Sequence, residues 1–221
     1  MAASFQRAND ATILNPTQSR TPPSRGRVIE RTEVKSSQGS KQLLILDLDE
    51  TLIHATETPL DRPACFCVGP YYVYCRPGLG EFLQFCQRAF RVAIWSSSGA
   101  AYLNAIVGQI FSDTESLAFV WDRSYCIARF DPERFEDYFL KDLKKVKRLG
   151  FDLNRTLIVD DTPQKVERNY GNAIYVTPFV GNVYDDELKG LSRLLELLVD
   201  EPNVRRVEKR GWRFKNGAEP T

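Results

Sequence analysis

The apolar run QLLILDLD ends in two carboxylates two residues apart, Asp47 and Asp49, with a hydroxyl close behind at Thr51. Two later apolar runs also end in polar groups: FRVAIWSSS in Ser96, Ser97 and Ser98, and NRTLIVDD in Asp160 and Asp161. A carboxylate can attack phosphorus to give an acyl phosphate, which splits one hard displacement into two easier ones. A second carboxyl two residues on can protonate the leaving oxygen, then deprotonate the water that clears the intermediate. Thr51 is placed to hold that neighbour. Carboxylates gathered on one rim repel each other unless a cation sits among them, and oxygen-only ligands suit a hard ion, Mg²⁺ above all. Hydroxyls at the Ser96 and Ser97 junction, with Lys141 as a point charge, suit a bound anion. Nucleophile, cation and anion cradle together describe phosphoryl transfer.

The elements that must position these groups alternate along the chain. The short apolar runs QLLIL, RVAIW and TLIV predict strands buried on both faces. RPGLGEFLQFCQRA follows a proline–glycine break and spaces Leu79, Phe82, Leu83 and Cys86 along one helical face. GAAYLNAIVGQIF predicts a second helix, KDLKKVKRLG a third stopped by Gly150, and DDELKGLSRLLELLVDEP a closing amphipathic helix. SLAFVWDRSYCIARF predicts an extended segment and NAIYVTPF a further strand. Alternation of this kind predicts an α/β, doubly wound (Rossmann-like) parallel sheet, whose ligands bind beyond the carboxyl ends of the strands. Residues 57–75, with FCVGPYYVYC turning at Gly69 and Pro70, predict a short flap hairpin after the first strand.

DLDETLIH resembles the first motif of the haloacid-dehalogenase-like phosphatases. More narrowly it is similar to the branch acting on the RNA polymerase II carboxy-terminal domain and its NLI-interacting-factor-like relatives. RPGLGEFL, WSSS, FLKDL, IVDDTP and GNAI continue the resemblance in order over about residues 42–200. It implies a Mg²⁺-dependent phosphomonoester hydrolase, a protein serine/threonine phosphatase working through an aspartyl-phosphate. Asp47 is then nucleophile and metal ligand, and Asp49 is acid/base with its backbone carbonyl on the metal. Ser96 and Lys141 hold the phosphoryl group, Asp160 binds Mg²⁺, and Asp161 and Asn172 support the metal shell. The chain departs from the usual pattern in reading Ser-Ser-Ser at the second motif and Asp-Asp rather than Asp-Asn after the fourth strand; both exchanges keep the chemistry. Response-regulator receivers share an Asp, Mg²⁺, hydroxyl and Lys constellation, but they are shorter and lack the second Asp with Thr51 behind it. The remaining alternatives are a metabolite phosphatase of the same superfamily and a phosphopeptide-binding module with weak activity.

A short flap leaves the site open, which suits a phosphate displayed on a peptide better than an enclosed metabolite. Tyr72, Tyr74 and Tyr102 are candidates for an apolar wall beside it. His54, the chain's one histidine, reads as a structural hydrogen-bonding group near the flap. Cys65, Cys67 and Cys75 match no common zinc spacing and read as buried thiols. Lys144, Lys145, Lys147 and Arg148 read as a solvated helix face.

The 221 residues carry 30 Lys and Arg against 29 Asp and Glu, a formal charge of +1, which argues against direct nucleic-acid binding through the whole surface. No run approaches the about 18–20 apolar residues that cross a bilayer, and no signal peptide opens the chain, so no membrane partner is expected. The expected partner is a phosphoprotein or phosphopeptide, and the expected location cytoplasmic, or nuclear in a eukaryote. Residues 1–40, rich in Ser, Thr, Pro and Arg, read as a disordered or loosely attached tail. Residues 41–201 read as the catalytic domain, and 202–221 as a C-terminal tail or short docked helix carrying Val204, Val207 and Trp212.

Overall fold

Every residue of β1 (Leu43–Leu46) is buried, because side chains that alternate sides meet a packed core on each. Leu44 and Leu46 join one apolar cluster, while Leu43 and Ile45 join another. The structure, a computed structural model, describes residues 41–215. The tail over residues 1–40 and the end over 216–221 therefore lie outside the described residues.

Beyond β1 the chain turns back through β2 (Ile53–Thr56), β3 (Phe66–Val68) and β4 (Tyr71–Cys75), an antiparallel sheet of order β2-β4-β3. This is the flap, and Gly69 at φ 55 makes the turn between β3 and β4. Helix α1 (Leu79–Ala89) buries Leu79, Phe82, Leu83 and Cys86, the spacing expected of one helical face. It leads into β5 (Arg91–Trp95), α2 (Ala100–Ile110) and the two-residue β6 (Val120–Trp121). A ribbon of β7 (Ile127–Asp131) and β8 (Glu136–Leu140) then precedes the short α3 (Lys144–Arg148). The chain continues through β9 (Thr156–Asp160), β10 (Ala173–Tyr175) and α4 (Glu187–Leu198), and ends in the four-residue α5 (Trp212–Lys215).

The central sheet has the order β10-β9-β1-β5-β6, and every pairing is parallel. α1, α2 and α4 cover one face, and α3 with Leu153 and Val166 covers the other, so the fold is the doubly wound α/β sheet expected. β5 and β9 flank β1, with Leu46 level with both Ile94 and Val159. That register brings the ends of the three polar-tipped strands to one height. The order runs outward from β1 in both directions, so its carboxyl end is the switch point where ligands bind.

Two regions differ from expectation. The segment read as one extended stretch becomes β6, a 3-10 turn over Arg123–Tyr125, and the first strand of the β7-β8 ribbon. That ribbon is exposed along most of both faces, so it lacks the apolar alternation that announces a strand. Cys65 and Cys67 are exposed and Cys75 half-buried, so the three flap thiols are not the buried set expected. At the C-terminal end, Val204 and Trp212 are buried in the cluster shared by α1, α2 and α4. A Cβ on Gly190 would come within 3.1 Å of the Trp212 ring, so glycine lets α4 and that ring meet.

Candidate active site

Asp47 follows the last residue of β1, and its N–H donates to the Val159 carbonyl at 3.0 Å, which fixes the chain between β5 and β9. The backbone then folds tightly on itself. The Leu48 carbonyl accepts from Thr51, Leu52 and Ile53, and Glu50 takes a left-handed φ of 57. This turn sends the Asp47 and Asp49 side chains to separate partners. Thr51, wholly buried, donates its hydroxyl to Asp47 Oδ2 at 3.3 Å.

Asp47 lies among cations. Lys141 Nζ donates to Asp47 Oδ1 at 2.6 Å and to Asp160 Oδ2 at 2.7 Å, and Lys165 Nζ stands 3.8 Å from Asp47 Oδ2. Burial pushes the Asp47 carboxyl up, but the two ammonium groups outweigh it and hold the carboxyl below the usual range. Asp49 lies among hydroxyls. Ser98 Oγ donates to its Oδ2 at 2.6 Å, Tyr102 donates to its Oδ1 at 2.7 Å, and Ser96 Oγ reaches Oδ2 at 3.5 Å. Burial, helped by the charge of Glu50, pushes Asp49 up to about 6, and the Ser98 and Tyr102 hydrogen bonds only partly offset it. Two carboxyls two residues apart are thus held in opposite states, one as an anion and one ready to carry a proton.

Asp160 and Asp161 close the rim. Burial raises Asp160 by more than Lys141 lowers it, and the Thr162 N–H bonds its Oδ1 at 2.9 Å. Asp161 is pushed up to about 7, chiefly by burial, against the nearby charge of Lys165. Its Oδ1 is buried without a hydrogen-bond partner, and the Lys165 ammonium stands 3.6 Å away. One oxygen from each of Asp47, Asp160 and Asp161 lies within 4.8 Å of the others. Three converging carboxylates, one of which carries an oxygen with no hydrogen-bond donor, fit a hard divalent cation.

Several expected site residues fall together here: Asp47, Asp49, Thr51, Ser96, Lys141, Asp160 and Asp161. Others do not. Asn172 is buried at the start of β10 and donates its amide to the Leu153 and Thr156 carbonyls at 2.6 and 2.8 Å. Those carbonyls lie at the start of β9, the far end from Asp160, so Asn172 ties two strand starts together and does not reach the metal shell. Tyr74 is fully buried, accepts from the Leu60 N–H at 2.8 Å and carries the Arg62 guanidinium over its ring, so it holds the flap loop and forms no open wall. Tyr72 stays exposed on β4. Tyr102 belongs to the Asp49 network, edge-on to Tyr71. Ser97 contributes its carbonyl to Arg123 Nε at 2.7 Å, and it is Ser98 that reaches Asp49. His54 faces Glu50 at 3.5 Å.

Sequence reasoning missed Lys165, the second cation beside Asp47. It comes from the 3-10 segment Pro163–Asn169, whose Lys165 carbonyl accepts the Lys141 N–H at 2.7 Å. Its position four residues after Asp161 was the available signal, since that spacing lets a lysine fold back on the carboxylate.

Comparison with known proteins agrees with this geometry. The profile of the NLI interacting factor-like phosphatases matches residues 42–205. A probable C-terminal domain small phosphatase of Dictyostelium discoideum is 30% identical over 171 residues, covering 74% of this chain and 53% of that protein. The human carboxy-terminal domain RNA polymerase II polypeptide A small phosphatase 1 is 29% identical over 173 residues, covering 75% of this chain and 62% of that protein. This chain thus spans little more than half the length of these two relatives. The structure of fission yeast RNA polymerase II CTD phosphatase Fcp1-R271A bound to beryllium fluoride superimposes with a TM-score of 0.50 at 22% identity, covering 74% of this chain and 53% of that one, and shows the shared fold. With the profile spanning the sheet, the flap and all four acidic positions, the chain belongs to the NLI interacting factor-like phosphatase family.

Proposed function

We propose that this chain is a Mg²⁺-dependent phosphatase that hydrolyses phosphoserine or phosphothreonine on proteins through an aspartyl-phosphate on Asp47. The observation that carries it is the opposite poise of Asp47 and Asp49, one kept anionic by Lys141 and Lys165, the other raised to about 6 among hydroxyls. An Asp47 carboxylate oxygen attacks phosphorus and the ester P–O bond breaks. The departing serine or threonine oxygen takes the proton from Asp49. Water then attacks the acyl phosphate, Asp49 recovers a proton from it, and inorganic phosphate leaves. Lys141 and the Ser96 hydroxyl are positioned to hold phosphoryl oxygens through both steps. Asp47, Asp160 and the Asp49 carbonyl, with Asp161 alongside, would hold Mg²⁺, which when bound draws charge from the phosphoryl oxygens.

A displayed phosphate is favoured as substrate because the flap is one small sheet and because the similar proteins are named as phosphatases of a polypeptide domain. No helix among the described residues is long and apolar enough to cross a membrane, and we place the action in the cytoplasm or nucleus. Phosphoserine peptides and metabolite phosphates run in parallel with Mg²⁺ test the substrate class, and higher kcat/KM on the metabolites would overturn it. Acid-quenching a reaction with ³²P-labelled peptide should leave hydroxylamine-sensitive label on the peptide containing Asp47. Label elsewhere, or none at any quench time, would remove the aspartyl-phosphate.

A further inference from the structure

A second, cationic concavity lies at the opposite end of the sheet. A pocket of about 250 Å³ is lined by Asn154, Arg168, Gly171, Asn203, Arg205 and Arg206 with their neighbours, and no carboxylate lines it. Asn154 precedes β9 and Gly171 precedes β10, so the pocket sits at the amino ends of strands whose carboxyl ends carry the acidic rim. The five residues of β9 alone separate the two levels by about 13 Å. Arg168 is paired with Asp142 at 3.1 Å. The side chains of Arg205 and Arg206 are exposed and have no anionic partner among the described residues. Beside the pocket the Lys209 ammonium, itself buried, donates to the carbonyls of Gly171, Val204 and Val207, which adds positive charge. Such an arrangement concentrates cations in a concave site and leaves the Arg205 and Arg206 guanidinium groups without a carboxylate to neutralise them.

We propose that this pocket binds a phosphoryl group distinct from the one being hydrolysed. Guanidinium forks match phosphate oxygens in pairs, and the amides of Asn154 and Asn203 stand beside them as further donors. The shared chemistry has two sources: free inorganic phosphate, or a second phosphoryl group on the polypeptide. For the second source, the chain must pass around the domain from the acidic rim, which needs a spacer of roughly six or more extended residues.

Titration of inorganic phosphate into ¹⁵N-labelled full chain tests the site without reference to turnover. The amides of Gly171, Asn203 and Arg205 should move in a saturable step separable from any movement at residues 47–51. The exposed pair R205E/R206E should weaken that step by at least about tenfold while leaving Tm and p-nitrophenyl phosphate turnover unchanged. Pocket amides that stay still through the millimolar range, or move equally in R205E/R206E, would overturn the proposal. A peptide with two phosphoserines separated by six residues then distinguishes the sources. A KM several-fold below that of the singly phosphorylated peptide, with the gap closed in R205E/R206E, identifies the polypeptide. Equal KM values with the spectral step intact identify free phosphate. This second arm rests on the protein-phosphatase reading; if no peptide is hydrolysed, that reading fails and the spectral arm still decides the pocket.

Discussion

Two groups of buried charge sit on opposite sides of the Thr51 turn, and they are built on different plans. Arg76, almost fully buried, donates Nε and Nη2 to the two carboxylate oxygens of Asp185 at 2.7 and 2.8 Å, and its remaining bonds go to the Thr51 and Thr177 carbonyls. Nearby, Glu187 accepts from the Thr177 N–H and pairs with Arg213. Each cation there has one anion and each anion has backbone donors as well. On the other side, Asp47, Asp160 and Asp161 share two ammonium groups, Asp49 has only hydroxyl donors, and one Asp161 oxygen has no hydrogen bond. Burying charges one to one joins segments of chain. Burying an excess of one sign leaves a site whose energy falls when a cation or a phosphoryl group arrives.

The largest expected effect separates the two plans outright. Asp47→Asn removes the nucleophile, so turnover of p-nitrophenyl phosphate should fall roughly 10³-fold or more. Lys141 keeps Asp160 and Lys165 keeps Asp161, so Tm should change little. Wild-type turnover in this variant would remove Asp47 from the chemistry. Arg76→Met does the reverse. It strands Asp185 and two carbonyls, and urea unfolding should show a loss of about 3 kcal/mol, while the folded fraction keeps activity within a few-fold. Adding Asp185→Leu should recover much of that loss. If the double variant is no more stable than the single, the pair is not the joint described.

The acidic group also predicts how stability follows pH. Asp49 and Asp161 sit at about 6 and about 7 in the fold against 3.8 when unfolded. Between pH 4 and 7 the folded protein therefore holds protons that the unfolded chain has released, and the stability these groups contribute is lost as pH rises through that window. Without metal, Tm should drop by several degrees from pH 5 to pH 8. A bound cation replaces those protons, so added Mg²⁺ should raise Tm more at pH 8 than at pH 5. A flat metal-free profile with equal Mg²⁺ stabilisation at both pH values would mean that the four carboxyls are not held as described.

The same contrast explains what could be read from the chain alone. β1, β5 and β9 announce themselves because both faces are buried, and α1 because Leu79, Phe82, Leu83 and Cys86 follow the helical repeat. Their polar ends converge on one rim as a consequence of parallel register. The β7-β8 ribbon carried no such pattern, since its stability comes from cross-strand pairs on an exposed ribbon. Lys165 and Arg76 were hidden for a related reason: each meets its partner through tertiary packing, and a lone basic residue in sequence looks solvated. Which of three consecutive serines faces Asp49 depends on the backbone path after β5, and the answer is Ser98 with Ser96 at longer range. Asn172 was placed by resemblance alone, and the parallel register puts it at the other end of the sheet.

The smallest expected effect concerns Tyr102, which the chain alone suggested as part of a substrate wall. Its hydroxyl donates to Asp49 Oδ1 at 2.7 Å, and this bond is one of two that hold the Asp49 carboxyl down against burial. Tyr102→Phe removes the donor and keeps the ring, so Asp49 should rise further while the packing against Tyr71 persists. The serine alkoxide is a poor leaving group and needs the Asp49 proton, so phosphoserine hydrolysis should decline above about pH 6 in the native protein. In Tyr102→Phe that decline should begin at higher pH, with KM unchanged and maximal kcat altered only a few-fold. p-Nitrophenyl phosphate, whose leaving group needs little protonation, should show a weaker shift. A raised KM with an unmoved pH profile would return Tyr102 to the substrate wall and take it out of the acid/base network.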